Sequence, residues 1–189
     1  MVGSHAMATR SLLSDYYGDE VCFGAPTGSP KTADGCITTI GASVTATNAR
    51  HGGETKVLAG VGVTQAANAT AMAAALAAVA WSDVTVLALG LNHGLEHEGM
   101  DRHNTELPAA QLDFALRVLA AGKPVVLLMV NGGIVSIDDL LHPPSVFGGA
   151  SDMPTSTCTL FKLQMVRARA CARLSQNGDA AAAVSAASF

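Results

Sequence analysis

Two runs of branched aliphatic residues constrain the fold of this 189-residue chain more than any other feature. The first run, Val84 to Leu89, ends at Gly90, and the second, Val125 to Val130, ends in Asn131-Gly132-Gly133. Neither run alternates between apolar and polar residues, as a strand with one solvent-exposed face would. Both are therefore predicted to be strands buried on both faces, which is the usual pattern in parallel sheets.

Helix-forming segments lie before and between these two strands. Ala66 to Ala80 consists almost entirely of good helix formers. A second helix is predicted to begin near Pro108 and to end at Gly122. Strand and helix in this order predict an α/β fold, in which parallel strands are joined by right-handed crossovers. Thr55 to Ala59 is predicted to form a short buried strand, whereas Ile37 to Thr47 fits a helix or a strand.

Composition argues against several classes of protein. Hydrophobic residues make up 49% of the chain and charged residues 14%, yet no apolar run reaches the roughly 18 residues of a membrane span. The formal net charge of −4 argues against nucleic-acid binding. Met1 to Met7 has the character of a cloning remnant, so this segment is set aside from the predicted fold.

The cysteines carry no metal-binding signature. Cys22, Cys36, Cys158 and Cys171 lack the CxxC spacing of a zinc ribbon. Cys22 and Cys36 flank a Gly/Pro-rich loop and could form a disulfide in a secreted protein, while independent thiols are the alternative. Secreted and cytoplasmic locations both stay open, and no cofactor is expected.

The polar loop from Asn92 to Asn104 carries the densest set of reactive side chains. It follows the first strand, and ligands of parallel sheets gather at the carboxyl ends of strands. Carboxylates accept hydrogen bonds from sugar hydroxyls, a carboxyl group can protonate a leaving oxygen, and an arginine can orient a carboxylate. Within the loop we find three carboxylates, three histidines and one arginine: Glu96, Glu98, Asp101, His93, His97, His103 and Arg102.

A metal site and a solvated polar loop are the alternative interpretations of this segment. His93 and His97 are four residues apart and would share one face of a helix, but Gly94 and Gly99 make a helix improbable and no third metal ligand is indicated. A solvated polar loop held by an internal Asp101–Arg102 network is the second alternative.

The order of several motifs resembles the second, non-barrel domain of family 3 glycoside hydrolases, especially the β-xylosidase and β-glucosidase branches. The match runs from about Leu12 to Leu141. Leu12-Leu13-Ser14-Asp15-Tyr16-Tyr17-Gly18 resembles the opening of that domain, and Ala80-Trp81-Ser82-Asp83-Val84-Thr85-Val86 resembles the strand entry before its polar loop. The parts that follow are Glu96-x-Glu98-Gly99-x-Asp101-Arg102, then Leu107-Pro108-x-x-Gln111, then Lys123-Pro124-Val125-Val126-Leu127, and finally Asn131-Gly132-Gly133.

This resemblance implies a fold and a set of site residues. The family's second domain is a three-layer α/β sandwich with a mainly parallel sheet, and its loops complete a sugar site whose nucleophilic Asp comes from a barrel domain. By resemblance, Glu96 is the acid/base candidate and Glu98 the alternative. Asp101 and Arg102 resemble the pair that shapes the loop, and they join His93 as candidates for binding the substrate.

The departures from the family pattern set further expectations. No barrel and no first strand precede Leu12, so the sandwich is expected to be incomplete and the chain inactive by itself. Residues 8–144 are assigned to the family-like domain and 145–189 to a divergent tail with an amphipathic helix at Leu160 to Leu174. The expected partners are a β-linked sugar, a second copy and a separate barrel domain, without nucleic acid or membrane. The alternative is a non-catalytic oligomeric interaction protein.

Overall fold

The computed structural model describes residues 1–12, 37–66 and 68–141, together with two short strands in the rest of the chain. Cys22 and Cys36 lie outside these residues. In chain order the elements are a 3-10 helix (Arg10–Leu12), α1 (Ile40–Arg50), α2 (Ala69–Trp81), β1 (Thr85–Gly90), α3 (Ala109–Ala120), β2 (Val125–Val130), α4 (Asp138–Leu141), β3 (Cys158–Thr159) and β4 (Ala170–Cys171).

Side-chain caps determine where the first two helices begin. The Thr39 hydroxyl accepts a hydrogen bond from the Ala42 amide (3.0 Å), and the Asn68 side chain accepts one from the Ala71 amide (2.7 Å). Each cap satisfies one of the amides that the first turn of a helix leaves without a partner. The sequence of Ile37 to Thr47 fits a helix or a strand, and the structure has a helix there, which begins after the Thr39 cap.

The sheet has the predicted direction. β1 and β2 pair in parallel, from Thr85 opposite Val125 to Gly90 opposite Val130. The α/β class with parallel strands is therefore confirmed, and the three-layer sandwich stays a prediction. Helices α2 and α3 contact each other, and the main hydrophobic core includes Val79, Leu87, Leu89, Phe114 and Val118.

An extended segment at the start of the chain pairs with the other edge of β1. The Val2 amide donates to the Val86 carbonyl (2.9 Å), and the Ala88 amide donates to the Val2 carbonyl (2.8 Å). On its far side Val2 makes a parallel bridge to Leu58, within the predicted strand Thr55 to Ala59. The opening residues thus lie between β1 and the chain around Leu58.

This placement corrects the treatment of Met1 to Met7 as a segment outside the fold. Val2 is 1% exposed and His5 is completely buried. The expectation that no strand-like segment precedes Leu12 is wrong for the same reason. Because Val2 and Ala6 were the only apolar residues between the two methionines, the segment is too short to show a strand or helix period.

The tail is described only in its two short strands. β3 and β4 are antiparallel, with Cys158 opposite Cys171. The predicted helix from Leu160 to Leu174 falls mostly outside the described residues, and at Ala170 and Cys171 the structure has strand. In the described part of the chain, no helix has the length and apolar character needed to span a membrane.

Candidate functional site

The polar loop leaves β1 at the carboxyl edge of the sheet, as predicted. The Leu91 amide donates to the Val130 carbonyl (2.8 Å), which extends the strand pairing by one residue. Asn92 then begins a turn in which its side-chain oxygen accepts from the Gly94 amide (3.1 Å). Because β1 and β2 run in the same direction, the loops that follow them meet at one edge.

A tight turn presents Glu98 at the tip of this loop. The His97 amide donates to the Met100 carbonyl (3.2 Å), and the Met100 amide donates back to the His97 carbonyl (2.9 Å). Gly99 has a φ of +82°, which residues with a Cβ rarely adopt. Glu98 is exposed at this turn.

Arg102 connects three parts of the site. Its Nε donates to Glu96 Oε2 at 2.9 Å, while its Nη1 donates to the Glu106 carbonyl at 3.1 Å. Its Nη2 donates to the carbonyl of Ile134, in the loop after β2. The two charged side chains are only 13% and 29% exposed, Arg102 being the more buried. We call Glu96, Arg102 and the Ile134 carbonyl the Arg102 clamp, because these contacts hold the two loops together.

The loop after β2 is shaped to receive the Glu96 carboxylate. A Cβ added to Gly133 would lie 2.6 Å from Glu96 Oε2, so a larger residue there would force the carboxylate to move. Asn131 is 8% exposed, and its side-chain amide donates to the Gly133 carbonyl (2.7 Å). The Ser136 amide also donates to the Thr105 carbonyl (2.7 Å). The two loops therefore form one connected surface.

The predicted pairing of Arg102 with Asp101 is wrong, because Arg102 pairs with Glu96 instead. Arg102 takes Glu96 as its carboxylate partner, and within the described residues neither Asp101 nor Glu98 has a hydrogen bond or ion pair. Both of these carboxylates are exposed. Of the two, Glu98 is at the turn and Asp101 follows it, so the structure leaves these side chains accessible to a ligand.

Two histidines of the loop, His93 and His97, lie close together. The His93 and His97 rings have centroids 4.6 Å apart and are tilted by 40°. Across residues 1–12, 37–66 and 68–141, no cluster of three or more potential metal ligands is present. His103 is exposed.

A buried polar network beneath the loop includes residues that the sequence did not predict as part of the site. Gln111, on α3, is completely buried and hydrogen-bonds to both backbone groups of Gly90. His5 Nε2 bonds to the Leu91 carbonyl at 2.9 Å. Gln111 precedes Phe114, Ala115 and Val118 on the buried face of α3. A single glutamine on an apolar face was the signal that could have revealed this network.

A family model described as the glycosyl hydrolase family 3 C-terminal domain matches residues 2–148. A probable exo-1,4-β-xylosidase of Aspergillus terreus is 29% identical over 175 residues, which are 90% of this chain and 20% of that protein. Its counterpart in Neosartorya fischeri is 33% identical over 147 residues, covering 77% of this chain and 16% of that protein.

One solved structure adds a structural comparison. A family 3 exo-β-xylosidase in complex with a xylobiose aziridine activity-based probe aligns with a TM-score of 0.55 and 26% identity. The alignment covers 71% of this chain and 15% of that protein. The chain therefore spans about a fifth or less of the length of the relatives that it matches.

Proposed function

This chain belongs to the glycosyl hydrolase family 3 C-terminal domain family, and we propose from that premise that its carboxyl-edge loops complete the sugar site of a β-glycosidase. The exo-β-xylosidases among its relatives favour a β-linked xyloside as the ligand. The observation that carries the proposal is the Arg102 clamp, because it fixes the loop while leaving Glu98 and Asp101 exposed.

Within this site we assign different roles to the two catalytic candidates. Glu96 was the first candidate for the acid/base, but Arg102 already donates to its Oε2 and Gly133 lies against the carboxylate. Glu98 has no such partner among the described residues and is exposed at the turn. We therefore favour Glu98 as the proton donor to a glycosidic oxygen, with Glu96 as the residue that positions the loop.

The other proposed contacts follow from position and chemistry. Asp101 is an exposed carboxylate that can accept hydrogen bonds from sugar hydroxyls, and His93 lies beside the same turn. Arg102 contributes indirectly, because three of its five N–H donors are taken by Glu96 and by two backbone carbonyls. No metal and no cofactor has a part in this proposal.

A complete hydrolase needs a second carboxyl group on the other side of the scissile bond, about 5–5.5 Å from the first in a retaining enzyme. By analogy with the family, we propose that a barrel domain supplies this nucleophile, as a separate chain or another part of a longer protein. Glu98 alone provides general acid catalysis, which typically raises the reaction rate by about 10²–10⁴-fold. We thus expect this chain to show no efficient turnover by itself.

A hydrolysis assay tests this assignment directly. The chain is assayed on an aryl β-xyloside alone and after mixing with the barrel portion of a family 3 exo-β-xylosidase. We expect no turnover alone, and on mixing an activity that Glu98→Gln lowers far more than the control Asp113→Asn. Robust turnover by the chain alone, abolished by Glu96→Gln, would overturn the proposal.

A second candidate function is that of a non-catalytic oligomeric interaction protein. It is favoured by two exposed apolar side chains on the site loops, Met100 at 42% and Ile134 at 69% exposure. Such groups suit a contact with a second copy. Light scattering of the full chain beside the Ile134→Ser variant tests this idea. Association that the variant loses, without any sugar binding by the parent chain, would favour the interaction protein.

A further inference from the structure

The direction of every hydrogen bond around Gln111 can be deduced from its partners. Its Nε2 lies 2.8 Å from the Val63 carbonyl and 2.7 Å from the Gly90 carbonyl, so this atom must be the donating NH₂. Its Oε1 then accepts from the Gly90 amide at 2.9 Å. An amide oxygen only accepts, so the Ser4 hydroxyl, also 2.9 Å away, can bond to it only as a donor.

His5 competes for the same hydroxyl hydrogen. Its Nε2 faces the Leu91 carbonyl and must carry a hydrogen to bond there, and its Nδ1 lies 2.9 Å from Ser4 Oγ. In neutral His5, Nδ1 has no hydrogen and needs the Ser4 hydroxyl as its donor. Because Ser4 has one hydroxyl hydrogen, it cannot donate to His5 and Gln111 simultaneously.

Protonation of His5 removes this competition. The imidazolium donates from both nitrogens, to the Leu91 carbonyl and to Ser4 Oγ, and this leaves the Ser4 hydroxyl free to donate to Gln111. Every contact of the network is then satisfied. Burial opposes the charge and lowers the pKa of His5, while the hydrogen bond to the Leu91 carbonyl acts in the other direction.

The charged groups on the elements around His5 have other partners. The Met1 ammonium, on the same segment, donates to the Lys56 carbonyl at 2.7 Å. β1 has no charged residue. On α3 the charged side chains are Asp113 and Arg117, which are about half exposed and paired with each other. In the chain from Thr55 to Ala66 the charged residue is Lys56, whose ammonium lies 4.1 Å from the centre of the Trp81 ring.

We propose that His5 is a positioning residue for the polar loop, and that its protonation moves the Ser4 hydroxyl hydrogen from His5 to Gln111. The charged form binds the Leu91 carbonyl more strongly, because hydrogen bonds from ionised donors are stronger than those from neutral donors. Leu91 is the last residue before the loop begins at Asn92, so the exit of the loop from β1 responds to pH. Any consequence for sugar binding rests on the proposed function, whereas the proton-linked network does not.

An NMR titration of the full chain tests the proposal without any sugar. At high pH the His5 imidazole nitrogens should show the neutral Nε2–H tautomer. The amide signals of residues 91–94 should shift with pH at the midpoint of the His5 titration. A neutral Nδ1–H tautomer, or loop amides with no response at that midpoint, would refute the proposal.

Two variants make the test specific. In His5→Gln the side-chain amide can still donate to the Leu91 carbonyl but cannot titrate, so the pH-dependent shifts of residues 91–94 should disappear. In Ser4→Ala the charged imidazole loses the acceptor of its Nδ1–H, so the His5 midpoint should move to lower pH. Loop shifts that persist in a folded His5→Gln variant, or an unchanged midpoint in Ser4→Ala, would overturn the assignment. If His5→Gln does not fold, Ser4→Ala still tests the proposal.

Discussion

The Glu96 carboxylate lies so close to the α-carbon of Gly133 that a methyl group there would meet both carboxylate oxygens, Oε2 at 2.6 Å. This contact and the ion pair with Arg102 fix the carboxylate between two loops, and Glu96 and Gly133 are 37 residues apart in the chain. This arrangement fixes the loop on which the exposed side chains Glu98 and Asp101 lie. Its parts can be tested one at a time.

Gly133→Ala should displace Glu96 and open the Arg102 clamp. The expected loss of stability is about 1 kcal/mol, that of one partly exposed ion pair, because the flexible Glu96 side chain can turn away from the new methyl group. Gly132→Ala is the matched control, because a Cβ there would lie 4.0 Å from Glu96 Oε1. Chemical denaturation of both variants measures the difference. Equal stabilities would contradict the close packing at Gly133.

Arg102→Lys should loosen the polar loop although the charge is retained. A lysine ammonium also has three N–H donors, but they share one nitrogen and cannot reach Glu96, Glu106 and Ile134 as the three guanidinium nitrogens do. We expect faster hydrogen exchange of the amides between residues 92 and 106. Arg117→Lys is the control, because Arg117 also pairs with a carboxylate, Asp113, but on an exposed helix surface. Similar exchange rates in both variants would argue against the clamp.

Val2→Ala should destabilise the domain by about 2 kcal/mol, since it removes two methyl groups from a fully buried side chain. Met7→Ala is the matched control at the same end of the chain, where the side chain is 56% exposed. We expect that control to change stability by no more than about 0.5 kcal/mol. Thermal or urea unfolding distinguishes the two. A neutral Val2→Ala would show that the opening segment contributes little to the core.

The stability of the fold should depend on pH through His5. Because burial lowers its pKa in the folded state, the unfolded chain binds the proton more readily. This contribution to stability is complete above the unfolded histidine value of about 6.5 and is lost as pH falls toward the lower folded value. Urea unfolding at a series of pH values, compared with His5→Gln, isolates the effect. If the parent instead became more stable relative to His5→Gln as the pH falls, the prediction would have the wrong sign.

The sequence predicts the central elements well because each has a strong local signal. Val125 to Val130 is predicted with its observed bounds, and the helix predicted from Ala66 begins instead at Ala69, after the Asn68 cap. The polar loop is correctly placed at the carboxyl edge, since that follows from the parallel order of the strands alone.

Contacts between distant residues account for what the sequence does not predict. Arg102 pairs with Glu96 rather than with its neighbour Asp101, a choice set by the fold of the loop and by the Ile134 carbonyl. Ser4 and Gln111 meet across 107 positions, and no local pattern links a short opening segment to the middle of a helix. The role of the opening segment therefore emerges only when the chain is folded.

Binding of xylobiose to the full chain, followed by amide NMR signals, tests the proposed sugar site most directly. We expect saturable shifts concentrated in residues 92–104 and 131–136, weakened by Glu98→Gln and Asp101→Asn because these exposed carboxylates accept hydrogen bonds from sugar hydroxyls. Asp113→Asn, an exposed substitution on α3, should bind like the parent chain. Shifts that are absent up to the solubility limit of the sugar, or that leave both loops unaffected, would contradict a sugar site at this edge.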